Sequence, residues 1–243
     1  MHTAQIILDT ISNINILFYI IAYLVGGIPF GMMIVKIKTG KNILTTGSKS
    51  IGATNVYRTL NEANVSHAKF WSLGTLILDA IKGLIVVLIA KLMGLSYETQ
   101  WAIAILAVIG HCYSPWIGFN GGKGVSTAIG SVILLIPIEG IIGLIIWGVV
   151  GKVFKISSLS SLLGVLCGVI LTFIIPNIIP LPNAININAQ IHSHVPAVII
   201  ALIVIYTHWK NIIRLFTFKE KKFTTKSENT SSAHQAPANP SDH

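Results

Sequence analysis

The chain is poor in charge, in cysteine and in acid. Only 10% of its 243 residues are Asp, Glu, Lys or Arg, where a soluble domain carries about a quarter. Two cysteines, Cys112 and Cys167, give no disulfide framework and are expected as free thiols. They form no Cys/His metal spacing with the eight histidines, and no H-E-x-x-H occurs. The eight carboxylates are scattered, with no two together in the polar loops. That spacing excludes hydrolysis by paired carboxylates and acidic cation sites. Neither a metal nor a cofactor is expected.

What the chain does have is apolar residue. Hydrophobic side chains fill 53% of the positions and the mean hydropathy is +0.75, which marks an integral membrane protein. The net charge of +9 raises nucleic acid as a partner. The basic residues, however, lie between apolar runs and in the tail, as membrane-flanking positives do, with no aromatic-studded basic domain. No nucleic-acid partner is expected. The first residues lack a basic n-region, and the first apolar run is too long for a signal peptide.

A helical span needs about 20 apolar residues. Candidates run from Ile14 to Val35, Trp71 to Met93, Glu98 to Ile117, Ser157 to Ile179 and His194 to Ile213. A further long stretch, Gly124 to Phe154, is interrupted at "LIPIEG". One kinked helix there gives six spans; two helices divided near Pro137 give seven. With seven, fifteen of the seventeen Lys and Arg residues fall on one side, leaving Lys82 within a span and Lys91 at a span end. The positive-inside rule therefore favours seven spans, N-terminus out and C-terminus cytoplasmic. The piece from Gly124 to Ile136 is short, roughly 20 Å of helix, and suits a short or re-entrant helix. The expectation is an all-α integral membrane protein, a seven-span bundle over residues 14–222. An N-terminal segment (1–13) precedes it and a polar, disordered tail (223–243) follows. The outer loops "GLSYETQ" and "NIIPLPNAININAQIHSH" read as plain connectors.

Three polar regions fall on the expected cytoplasmic face. The loop "GFNGGKGVST" surrounds Lys123 with Gly121, Gly122 and Gly124. Such a loop can aim backbone N–H groups and the start of the next helix at an anion, with Lys123 adding charge. It is not a Walker A loop, because Ile117 and Gly124 stand where that pattern needs Gly and Ser/Thr. Equally, it can be a flexible turn with a snorkelling lysine. "GSKSIGATNVYR" groups Gly47, Ser48, Gly52, Thr54, Asn55 and Arg58, which suit phosphate binding, an Arg being able to fork onto phosphate oxygens. An ordinary polar loop is the plainer reading. In "THWKNIIRL", His208 and Asn211 share a helix face that Arg214 extends; an interfacial anchor is the alternative. Asp79 and Lys82 are the one opposite-charge pair inside a span and read as a structural or supporting pair. His111 reads as a supporting hydrogen-bond group. No H-x-x-x-x-D of the coenzyme-A-type glycerolipid acyltransferases is present, since Trp116 stands five residues after His111.

In order and spacing, "GGIPFG", "TGSKSIGATNVYR", "LDAIKG", "GHCYSPWIGFNGGKGVST" and "HWKNIIRL" resemble the bacterial membrane acyl-phosphate:glycerol-3-phosphate acyltransferases. The resemblance runs from about Gly26 to Lys222. It implies a seven-span bundle in the bacterial inner membrane with its site on the cytoplasmic face. It also implies transfer of a fatty acyl group from acyl phosphate to the 1-hydroxyl of glycerol 3-phosphate, the first acylation in phospholipid synthesis. Lysophosphatidic acid and phosphate would be the products. Matched by position, Ser48 and Arg58 belong to the first motif. Gly121, Gly122, Lys123 and Gly124 form the phosphate loop, and His208 and Asn211 the third motif. The implied partners are the two substrates and membrane lipid, with the chain acting as a monomer. Two acceptors are open to the proton of the attacking hydroxyl: substrate phosphate and His208. The chain departs from the family pattern at Asn42 and Leu44, where Asp and Arg are usual, at Lys49 and Ser50, and at Lys210. The alternatives are an inactive paralogue and a non-enzymatic anion-binding membrane protein or permease.

Overall fold

The computed structural model of the protein describes residues 13–220 and 222. The polar tail, with Lys221 and nearly all of the N-terminal segment, lies outside the described residues. Among them there are eleven α-helices, three 3-10 turns and no strand. The apolar runs become helices α1 (Ile14–Gly26), α2 (Phe30–Thr39), α4 (Ala68–Leu92), α5 (Tyr97–Cys112), α7 (Pro137–Phe154), α8 (Ser157–Ile178) and α10 (Val195–Thr207). Between them lie α3 (Ala53–Glu62), α6 (Val125–Val132), α9 (Ile187–Ile191) and α11 (Trp209–Phe216).

Four helical segments are long and apolar enough to cross a membrane: Ile14–Thr39 taken through its break, Ala68–Leu92, Pro137–Phe154 and Ser157–Ile178. The pair α10 and α11, bent by 64°, makes a fifth if counted as one span. At 16 residues α5 falls short of that length, and α6 has eight, roughly 12 Å of helix.

The breaks have local causes and are chemically satisfied. Pro29 cannot donate an N–H and ends α1's run early. The carbonyls this frees are taken up by distant side chains: Ser114 Oγ donates to Gly27 O at 2.6 Å, and Lys82 Nζ to Ile28 O at 2.8 Å. Pro137 opens α7 in the same way, after the turn at 133–136. There Lys91 Nζ reaches Leu134 O at 3.0 Å, and Gln190 Nε2 reaches Leu135 O at 2.8 Å. Unpaired carbonyls at membrane depth would cost several kcal/mol each, on the order of a lost hydrogen bond in hydrocarbon.

Gln190 belongs to the loop between α8 and α10, which is therefore not the plain connector its sequence suggests. Its helix α9 folds into the bundle, Gln190 Oε1 also accepting from Trp101 Nε1 at 2.9 Å. A run of polar residues hid this, because one buried amide carries the attachment. The helices themselves meet through small residues, as in membrane bundles generally. A Cβ on Gly110 would strike the carbonyl of Tyr23, and one on Gly130 that of Ala80. These contacts bring α5 to α1 and α6 to α4. Cys112 and Cys167 are both free thiols.

Candidate active site

A cavity of about 580 Å³ lies among α3, α6, α7, α8, α10 and the glycine loop. Of the residues that the sequence suggests for the site, all line it except Lys82. Its mouth is polar and basic; its depth is walled by Val132, Ile136, Leu144, Val165, Val169 and Ile200.

The glycine loop is built against the end of α5. Gly122 N–H donates to His111 O at 3.0 Å, so that amide closes the loop and is not open to a ligand. A Cβ on Gly122 would collide with Nε2 of the buried His111 ring, and one on Gly121 with the His111 carbonyl. Gly124 takes a left-handed φ of 80° and opens α6, a conformation only glycine adopts at no steric cost. The amides of Lys123 and Gly124, with those of the first turn of α6, have no intrahelical acceptor, and Lys123, Gly124, Val125 and Ser126 line the cavity. Thr207 Oγ1 donates to Lys123 O at 3.1 Å, fixing the loop to α10. Burial lowers the Lys123 ammonium to about 8, with repulsion from Arg214 and Arg58 adding to it and Glu220 opposing.

Asn55 organises the first motif. From α3 its Oδ1 accepts from Ser48 N at 2.9 Å. Its Nδ2 donates to Ser50 O at 2.8 Å and Thr46 O at 3.2 Å. Its polar atoms are therefore spent on the loop backbone: it shapes the place that Ser48 and Arg58 line. Gly47 lies directly over the same amide, in a left-handed conformation with φ 54°. Thr54 Oγ1 lies 2.9 Å from Ser157 Oγ, joining α3 to α8. Gly52 caps α3. Of the unusual positions, Asn42 and Leu44 lie outside the cavity wall. Asn42 caps a 3-10 turn through Leu44 N at 3.0 Å, and Leu44 packs on the apolar cluster around Ile43 and Val56. Lys49 and Ser50 do line the cavity. Lys49 holds a φ of 57°, which accounts for glycine being usual there.

At the third motif, His208 Nδ1 lies 2.7 Å from Val204 O. A carbonyl only accepts, so Nδ1 carries the proton and Nε2 is left as an acceptor. The sequence reading missed Glu220. Its Oε1 accepts from Asn211 Nδ2 at 2.6 Å and from Ser158 Oγ at 2.8 Å. Its Oε2 accepts from Arg214 Nε at 2.7 Å. Burial alone would raise its carboxyl, but these bonds outweigh burial and hold it below the ordinary value. A single acid among the basic residues that follow the last span was the one signal available.

Asp79, Lys82 and His111 sit beneath the loop, all nearly inaccessible. Lys82 Nζ is 2.8 Å from Asp79 Oδ1, an ion pair without hydrogen-bond geometry. His111 Nδ1 is 3.6 Å from the same oxygen. Lys82 also holds Ile28 O, at the break between α1 and α2.

The family described as "Glycerol-3-phosphate acyltransferase" matches residues 16–218. The chain belongs to that family. It is 63% identical over 216 residues to the glycerol-3-phosphate acyltransferase of Helicobacter hepaticus, covering 89% of this chain and 96% of that protein. Identity to the Helicobacter pylori J99 enzyme of the same name is 50%, with 89% and 98% covered. Crystal structures of PlsY, an integral membrane glycerol 3-phosphate acyltransferase, have the same fold. The glycerol 3-phosphate form superposes with a TM-score of 0.72 at 30% identity, over 86% of this chain and 96% of that one. The lysophosphatidic acid form gives 0.69 at 31%, over 86% and 95%.

Proposed function

We propose that this membrane glycerol-3-phosphate acyltransferase takes its acyl group from an acyl phosphate and passes it to the 1-hydroxyl of glycerol 3-phosphate. The observation that carries this reading is the continuity of one cavity from Lys123 to an apolar groove. The groove follows α8 from Ser157 to Val169, roughly 18 Å at 1.5 Å per residue. One leaflet, half of a hydrocarbon core of about 30 Å, has a similar depth, so the groove suits one lipid chain. A donor can then lie with its phosphate in the glycine cradle and its chain between α6, α7 and α8.

Acyl phosphate is an activated mixed anhydride, so the reaction needs orientation and charge stabilisation more than a covalent nucleophile. Lys123 and the amides of the glycine loop hold the acyl-phosphate head; Ser48 and Arg58 orient its oxygens. His208 and Asn211 position glycerol 3-phosphate, with Glu220 holding Asn211 and Arg214 in place. The 1-hydroxyl oxygen attacks the acyl carbon, the bond from that carbon to the phosphate oxygen breaks, and the hydroxyl proton leaves with the released phosphate. No cofactor is used.

The same reading places the chain in the bacterial inner membrane as a monomer that crosses seven times, with α5 and the α6 segment as short crossings. The N-terminus is outside and the cavity mouth cytoplasmic, where fifteen of seventeen basic residues gather. The deciding assay offers purified protein glycerol 3-phosphate with acyl phosphate, acyl-coenzyme A or acyl carrier protein as donor. Lysophosphatidic acid formed from acyl phosphate alone supports the reading. Product from the thioesters only, or phosphate-ester flux into liposomes without product, contradicts it.

A further inference from the structure

The groove ends on a group that the transfer reaction does not use. Glu139 lies in the first turn of α7, fully inaccessible to solvent, and lines the same cavity as Lys123. Both of its carboxyl oxygens lack a hydrogen-bond partner. Its own N–H is near enough to act on it electrostatically but not in hydrogen-bond geometry. The cavity wall also includes Ile136, Val169, Ala197 and Ile200, and the backbone of Glu139 lies against Gly168 of α8. The lysines and arginines of the cavity wall (Lys49, Arg58, Lys123, Lys210 and Arg214) belong to segments at its polar end.

An acidic residue in the first turn of a helix has a common structural explanation, since it complements the helix dipole and caps free amides. Glu139 makes no such cap. A buried polar group without a partner is costly, and an ionisable residue within a membrane protein's apolar interior generally marks a pathway or site. At this position the group lies in the wall beside the apolar part of the groove.

We propose that Glu139 is a specificity-determining residue that limits the length of the acyl chain the groove accepts. The inference rests on the groove being the donor's acyl site. The carboxyl is shut off from the empty groove by the wall around it; a chain that stops short of Glu139 leaves that wall free to shift and admit water to the carboxyl. A chain that continues past it packs on the wall, holds it closed and excludes that water, leaving both oxygens unpaired. The limit is therefore set by polarity, not by bulk alone. Leucine has similar bulk without the polar atoms, whereas glutamine keeps both.

The test compares kcat/KM for palmitoyl phosphate with that for lauroyl phosphate in the wild type, Glu139→Leu and Glu139→Gln. The account expects the long-to-short ratio to rise roughly tenfold in Glu139→Leu, the scale of one relieved unpaired group, and to stay at the wild-type value in Glu139→Gln. A ratio unmoved in Glu139→Leu, or raised equally in Glu139→Gln, overturns it. A wild type inactive with every acyl phosphate would instead refute the donor assignment itself. A second measurement needs no variant. Dicyclohexylcarbodiimide, an apolar carboxyl reagent, is added to wild-type protein with hexadecyl phosphate or octyl phosphate, and labelling of the Glu139 peptide is followed by mass spectrometry. Protection by the long phosphate alone supports the proposal; protection by both alike, or by neither, contradicts it.

Discussion

Asn211 and Glu220 are joined by a hydrogen bond of 2.6 Å, which closes the turn after α11 back onto the cavity. The same carboxylate takes Arg214 at 2.7 Å and Ser158 at 2.8 Å. It thus holds Asn211 and Arg214 against α8.

Glu220→Gln keeps one accepting oxygen but replaces the other with an amide that cannot accept from Arg214. Hydrogen bonds to charged groups contribute about 1.5–3 kcal/mol, and the exposure of Arg214 places this one at the low end. Acyl transfer should fall roughly tenfold, mostly as a raised KM for glycerol 3-phosphate, with Glu220→Asp recovering part of the loss. Steady-state kinetics on the purified variants check this.

Gly122→Ala places a methyl group in the ring of His111. His111 is buried and lies beside the Asp79–Lys82 pair, so the loop moves instead of the ring. Transfer should drop by about 100-fold or more, on the scale of a misplaced catalytic geometry, while size-exclusion behaviour in detergent stays that of the wild type.

Lys49 carries left-handed strain that glycine would not. Lys49→Gly should stabilise the folded protein by about 1 kcal/mol, read as a higher midpoint of thermal unfolding in detergent. An unchanged or lowered midpoint would show that the side chain compensates for the strain.

Lys123 loses its proton near 8 in the unliganded protein because it is buried, with Arg58 and Arg214 adding repulsion. Below that pH it is a cation and attracts donor phosphate; above it the attraction is lost. The KM for acyl phosphate should be flat below about pH 7 and rise by up to about tenfold per unit above pH 8. In Lys123→Arg, which stays charged throughout, the dependence should flatten even though the rate is reduced. Donor KM measured from pH 6.5 to 9.5 reads both effects.

The apolar helices and the glycine loop were legible because they are carried by contiguous residues: apolar runs of helix length, and Lys123 among three glycines. His208 and Asn211 were legible because helix periodicity alone puts them on one face. Glu220 was not, since its role arises from a turn that folds back to Ser158, 62 positions away. Helix α3 was read as loop because its apolar face consists of little more than Val56 and Leu60. Asn55 looked like a ligand, and its amide bonds the backbone of its own loop at Ser48, Ser50 and Thr46, an arrangement that depends on where those groups point. The substitutions at Asn42 and Leu44 looked like losses from the site, yet both side chains work outside it.

The most direct test of the account is acyl transfer by Lys123→Ala, reconstituted in liposomes with acyl phosphate and glycerol 3-phosphate. The variant should remain folded and yet lose nearly all transfer, by about 100-fold or more, the usual scale for removing a charge that stabilises the transition state. Transfer at the wild-type rate in the folded variant would contradict the phosphate cradle and the mechanism built on it.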